Sequence, residues 1–165
     1  MELRVGVSGH RHLADAGAVA AAVDALLDEL TAEHHATALA AVSSLAEGAD
    51  RIVAERALAR GGSLDVQLPL PPDDYAADFP ATTDEFDALL AAARHVTVVP
   101  TDTEDSREAA YERAGHAVLA QCDVLLALWD GEPARGQGGT ADMVAHARRA
   151  GLPVRVVPVE RAAAR

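Results

Sequence analysis

The feature that most constrains this chain is the run Val124-Leu125-Leu126-Ala127-Leu128-Trp129, six apolar residues without a break, closed by Asp130-Gly131. A short continuous apolar segment suits a strand buried on both faces, the situation of a parallel sheet covered by helices on each side. Gly136-Gln137-Gly138-Gly139-Thr140 follows, and a helix-like run starts at Ala141. Thr140 stands where a helix N-cap is expected. Gly138 and Gly139 before it remove the side chains that would hold a ligand off the backbone. The unpaired N–H groups and positive dipole end of such a helix suit an anion such as phosphate.

The remaining chain repeats the strand-then-helix pattern. Leu3 to Val7 reads as a first strand, ending in Ser8-Gly9-His10-Arg11, with a helix from about Asp15. Leu39 to Val42 is a second strand, running through residues 43–50 into a helix that carries Ile52, Val53 and Ala57. Leu64, Val66 and Leu68 alternate with Asp65 and Gln67, which predicts a half-exposed strand at a sheet edge. Pro69 to Pro80 shows no periodicity. Thr82 with Glu85 and Thr101 with Glu104 have capping-box spacing ahead of two helices. Val96 to Val99 and Val154 to Val157 complete six strands. Six alternations predict an α/β, doubly wound, mainly parallel sheet with helices on both faces, in one domain spanning 1–160 with a frayed tail at 161–165.

Composition narrows what such a domain can do. Half the residues are apolar, which excludes a disordered chain. The single cysteine, Cys122, excludes an internal disulfide and a cysteine-based zinc cluster and suits a reducing cytosol. No stretch approaches the roughly 20 apolar residues of a membrane span, so the expectation is a cytoplasmic protein without membrane contact. The net charge is −12, and every basic residue is arginine. The lack of lysine rules out a GxxxxGK[ST] phosphate loop and Schiff-base chemistry. The acidic balance argues against nonspecific attraction to nucleic acid, giving the expectation of no nucleic-acid partner.

In doubly wound sheets ligands sit beyond the carboxyl ends of the strands, where strand order reverses. Three polar or glycine-bearing loops, 8–11, 43–50 and 130–140, are expected to converge there. Gly9, His10 and Arg11 can offer backbone N–H groups and a guanidinium fork for phosphate or carboxylate. Ser44 and Glu47 again have capping-box spacing, while Gly48, just inside the helix, would let a ligand approach closely. Arg51 with Glu55 has the i,i+4 spacing of a solvated ion pair. Asp130 could accept a ribose hydroxyl, and Trp129 continues the core. The histidine pairs His10/His12 and His34/His35 lack convergent carboxylates or cysteines, so no metal is expected.

With these motifs the chain resembles the SLOG superfamily, Rossmann-like domains related to DprA/Smf proteins and to the LOG nucleotide phosphoribohydrolases. The likeness is strongest to bacterial members of unassigned activity. It rests on residues 6–11, on Ser44-Leu45-Ala46-Glu47-Gly48-Ala49-Asp50, and on 122–131 with Gly138-Gly139-Thr140. The resemblance implies glycine loops that bind a nucleotide or nucleotide derivative, with no cofactor required, and it admits a homodimer. The LOG glycine motif P-G-G-x-G-T-x-x-E ends in a catalytic glutamate. Here the third residue after Thr140 is Met143, and Asp142 falls one position early, about 100° around the helix. Glu112-Arg113 resembles the upstream Glu-Arg-Lys motif without its lysine.

The leading expectation is therefore nucleotide binding through Gly9, His10, Arg11, Ser44, Glu47, Gly48, Asp130, Gly138, Gly139 and Thr140, as a sensor or regulatory domain. One alternative is a nucleoside 5′-monophosphate phosphoribohydrolase using Glu47, Arg113 and Asp142. Another is an interaction or scaffold protein with a vestigial pocket.

Overall fold

A computed structural model of the protein describes residues 1–102, 104–133 and 139–162. The strands are β1 (Glu2–Gly9), β2 (Ala38–Ser43), β3 (Ser63–Leu68), β4 (His95–Val98), β5 (Val124–Trp129) and β6 (Val154–Pro158). The helices are α1 (Ala16–Glu33), α2 (Ala49–Ala59), α3 (Pro72–Ala76), α4 (Thr83–Ala92), α5 (Arg107–Ala120) and α6 (Thr140–Arg149). The sheet runs β4-β3-β2-β1-β5-β6, and each adjacent pair is parallel. The chain winds outward from β1 to β4, then returns to place β5 on the other side of β1. That reversal between β1 and β5 is the switch point of an α/β Rossmann-like fold.

The continuous apolar run is explained by two cores. Val124, Leu126 and Leu128 join Leu3, Val5 and Val7 of β1 and Val19, Val23 and Leu27 of α1. Leu125, one position out of phase, instead meets Leu119 of α5 and Met143 and Ala147 of α6. Alternate residues of β5 thus serve opposite layers, and a polar residue at either phase would lie in a core. Each fully buried leucine contributes about 2 kcal/mol.

Three local expectations give way to longer-range contacts. The β3 strand is not at the edge: β4 is, with all four of its residues exposed, while Asp65 and Gln67 are each only 4% exposed. Asp65 stays inside because Arg4 Nη1 and Arg94 Nη2 each reach its Oδ2 at 2.9 Å. Burial pushes the Asp65 carboxyl up, but the hydrogen bonds from Arg94 and Arg4 outweigh it and hold it below the usual range. The capping boxes do not form. The Thr82 side chain caps nothing and donates instead to Glu47 Oε2 at 2.9 Å. The α5 helix starts beyond Glu104, where Ser106 Oγ accepts the Ala109 N–H at 3.1 Å.

Arg51 does not form a solvated pair with Glu55. It is 1% exposed, donates to the Leu45 and Thr82 carbonyls at 3.1 and 3.2 Å, and pairs with Glu85 at 3.1 Å. Its guanidinium lies 4.4 Å from the centre of the Phe79 ring. Phe79 in turn packs against Tyr75 and Phe86 with ring centres 5.0 Å away in both cases. These aromatics order the proline-bounded segment, which holds α3 and a 3-10 turn at Pro80–Thr82. The tail is also tied down at its start. Arg161 bridges Leu13, and Ala162 N donates to the His12 carbonyl at 2.9 Å.

Candidate ligand cavity

The loops after β1 and β2 are pressed together before any ligand is considered. Gly48 is the N-cap of α2 rather than a residue inside it, with φ +78°. A Cβ there would lie 2.3 Å from the Arg11 carbonyl oxygen and 2.5 Å from that of His10. The absent side chain makes room for neighbouring backbone, and Ala49 N completes the junction by donating to the His10 carbonyl at 3.1 Å. Gly9 is equally confined, since a Cβ on it would meet Ala49 Cβ at 2.4 Å and the Leu128 carbonyl at 2.7 Å.

Three strands' loops are then cross-linked through polar contacts. His10 Nε2 lies 3.1 Å from both Asp130 Oδ1 and the Asp130 backbone nitrogen, donating to the carboxylate when protonated and accepting the N–H when not. Asp130 Oδ2 is 2.8 Å from Arg161 Nε. The Glu132 N–H, which bonds Asp130 Oδ1 at 3.0 Å, acts first and His10 and Arg161 further to hold the Asp130 carboxyl below the usual range. Arg11 pairs with Glu47 at 3.3 Å. Ser43 Oγ accepts the Leu45 N–H at 3.0 Å and donates to the Asp50 carbonyl at 3.2 Å.

Beside this junction, at the carboxyl edge of β1 and β5, lies a cavity of about 500 Å³. That is within the size range of small-molecule sites. Gly9, His10, Arg11 and Ser44 border it on one side, and Gly139, Thr140 and Ala141 on another. Thr140 is the first residue of α6 rather than its cap; Gly139 holds the cap position, and among the described residues no side chain caps this end. The N–H groups of the first turn therefore have no intrahelical partner and present the positive end of the helix dipole. Tyr75, Pro69, Tyr111 and Leu119 add an apolar wall, with the two tyrosine rings 5.9 Å apart.

Asp50 also borders the cavity and is 8% exposed. Burial pushes its carboxyl up to about 7, against the lowering effect of the Ala46 N–H and of Arg11 and Arg51. Burial, and then the charge of Asp50, likewise raise the Tyr75 hydroxyl.

The residues expected to make the site divide into two groups. Gly9, His10, Arg11, Ser44, Gly139 and Thr140 line the cavity; Glu47, Gly48 and Asp130 brace those that do. Gly138 falls outside the described residues. The hydrolase set does not assemble: Arg113 is exposed and pairs with Asp105 at 2.8 Å, Asp142 is exposed, and Glu47 is held by Arg11 and Thr82. Asp50, Tyr75, Tyr111 and Arg161 were not anticipated. Asp50 lies in the Ser44–Asp50 motif, in the first turn of α2, where a carboxylate is favoured in any case. The other three reach the cavity only through the packing of α3, α5 and the chain end.

No protein-family model matches the chain, and no curated protein sequence matches it significantly. Solved structures do. DNA processing protein A (DprA) from Streptococcus pneumoniae aligns over 94% of this chain and 50% of its own length, at 22% identity and a TM-score of 0.67. DprA from Helicobacter pylori aligns over 94% and 65%, at 18% identity and a TM-score of 0.64, and is described by its single-stranded DNA binding mode. The Moco carrier protein from Chlamydomonas reinhardtii aligns over 95% and 76%, at 21% identity and a TM-score of 0.54. The chain thus spans about half of the pneumococcal protein and under two thirds of the Helicobacter one. The shared property is the fold, in agreement with the resemblance drawn from the motifs. One expectation is corrected by these neighbours. Exclusion of nucleic acid does not stand, because the Helicobacter protein with this fold binds single-stranded DNA. Net charge sums over the whole surface, whereas nucleic acid needs only a local site.

Proposed function

We propose that this domain binds a nucleotide or nucleotide-derived ligand in the cavity at the β1–β5 switch point, as a sensor or regulatory unit. The carrying observation is that the start of α6 at Gly139–Ala141, without a side-chain cap among the described residues, borders the same cavity as Arg11 and the Tyr75–Tyr111 wall. The first two suit phosphate, and the last suits a base or ribose face. Glu47, Arg113 and Asp142 do not meet there, which favours binding over glycosidic hydrolysis.

Calorimetric titration of the chain against nucleoside phosphates and nucleotide diphosphate derivatives tests the reading. Gly139→Asp puts a carboxylate at the anion end and is expected to weaken binding at least tenfold. Wild type that binds none of the panel, or a variant that binds equally well, would sink it. A short single-stranded oligonucleotide belongs in the panel because of the Helicobacter neighbour. Oligonucleotide binding that survives Gly139→Asp would place nucleic acid on another surface.

A further inference from the structure

Asp50 is a cavity group whose hydrogen-bonding capacity the fold only half uses. Its Oδ2 accepts the Ala46 N–H at 3.2 Å, and among the described residues no hydrogen bond reaches Oδ1. Its position in the first turn of α2 is favourable for any carboxylate. That placement does not explain why a carboxylate this deeply buried keeps one oxygen at the cavity wall without a partner among the described residues.

We propose that Asp50 is the donor-reading group of the cavity. Its carboxylate accepts two adjacent hydrogen-bond donors of the ligand, either the vicinal hydroxyls of a ribose or the N–H pair on the edge of a guanine. The assignment rests on the nucleotide reading above and says which part of the nucleotide faces α2. An ionised carboxylate only accepts hydrogen bonds, so a phosphate oxygen cannot satisfy it and is repelled by it. The phosphate is thereby confined to the α6 end, and the neutral, donor-rich part of the ligand to the Asp50 end. Tyr75 borders the same corner and offers a ring face to that part.

The charged and titratable groups around Asp50 are Arg11 from the loop after β1, Arg51 on α2 and Tyr75 on α3. The two arginines favour its ionised form, and burial disfavours it more strongly, giving a carboxyl that titrates near neutrality. Donors from the ligand favour the ionised form, so binding expels a proton wherever Asp50 is protonated beforehand.

The test is calorimetry with ADP-ribose and GDP-mannose, whose diphosphate bridges carry no group titrating near neutrality, at pH 6 and pH 8. Wild-type affinity is expected to rise about tenfold over that interval, following the ionised fraction of a group titrating near 7. Asp50→Asn is expected to bind at least tenfold more weakly at pH 8 and to lose the pH dependence. Its affinity for inorganic pyrophosphate is expected not to fall, which also certifies that the variant is folded. Loss with both ligands assigns the ribose diol; loss confined to GDP-mannose assigns the guanine edge. Equal binding by Asp50→Asn, or wild-type affinity that ignores pH, overturns the proposal while the nucleotide reading survives. If Asp50→Asn does not fold, Asp50→Ser takes its place in the same comparison, since His10 also borders the cavity and an imidazole can titrate in this range. Wild type that binds pyrophosphate but neither nucleotide defeats the donor reading only; wild type that binds nothing defeats both.

Discussion

Gly48 and Asp50, two residues apart, show how different demands meet in one turn. Gly48 is needed because neighbouring backbone occupies the space of a side chain and because its φ of +78° disfavours any other residue. Gly48→Ala should therefore cost about 3 kcal/mol or more in urea denaturation, combining backbone strain with the carbonyl clash. A loss below about 1 kcal/mol would mean that the loops after β1 and β2 are not locked together as described. Asp50 carries an opposite kind of cost. Its carboxyl titrates near 7 when folded and near 3.8 when unfolded. Between those values the folded state holds a proton that the unfolded chain has lost. The Asp50 contribution to stability is thus fully present below about pH 4 and declines as pH rises toward 7, by up to about 1.4 kcal/mol per unit, levelling off above about 8. Unfolding of wild type and Asp50→Asn across pH 5 to 8 should show this slope in the first and not in the second. Parallel curves would refute it.

Among the elements, those set by apolar period were legible and those set by polar contacts were not. The double-phase burial of β5 and the 3.6-residue spacing of Val19, Val23, Leu27 and Leu30 on α1 are visible in sequence because water exclusion acts on each residue independently. The position of β3 was misread because Asp65 looks solvated until Arg4 and Arg94, far away along the chain, are seen to reach it. Glu47 and Glu85 were misread for the same reason. Capping-box spacing is a local pattern, and their partners Arg11 and Arg51 come from other segments. Most of the cavity was legible from glycine-bearing loops; Tyr75, Tyr111 and Arg161 were not, since nothing in their own neighbourhood sets them apart. The α6 start offers a separation of stability from binding. Gly139 has φ −66° and ψ 167°, a conformation open to any residue, and aspartate is a better N-cap than glycine. Gly139→Asp should leave thermal stability unchanged or raise it by a few tenths of a kcal/mol while ligand affinity drops. A variant that loses both would show that the residue matters for folding rather than for the anion.

At the scale of the molecule, the return of β5 to the side of β1 brings distant parts of the chain to one place. Arg11, Ser44, Asp50, Tyr75, Leu119 and Met143 border a single cavity although they span most of the sequence. No helix among the described residues is long and apolar enough to cross a membrane. Arg161 belongs to this convergence, bordering the cavity and standing 2.8 Å from the Asp130 carboxylate that also contacts His10. Arg161→Ala is expected to weaken ligand binding several-fold with a loss of stability of about 1 kcal/mol or less, because its surroundings are polar and partly wetted. A large fall in melting temperature with unchanged affinity would contradict that.

The same clasp gives the chain's last described residues an unusual address. Segments following an outer strand commonly trail away into solvent, yet here Arg161 and Ala162 are anchored to Leu13 and His12 at the rim of the pocket. A reporter group fused behind Ala162 would thus start out beside the opening, and filling or emptying it should alter the reporter's signal without any rearrangement of the sheet.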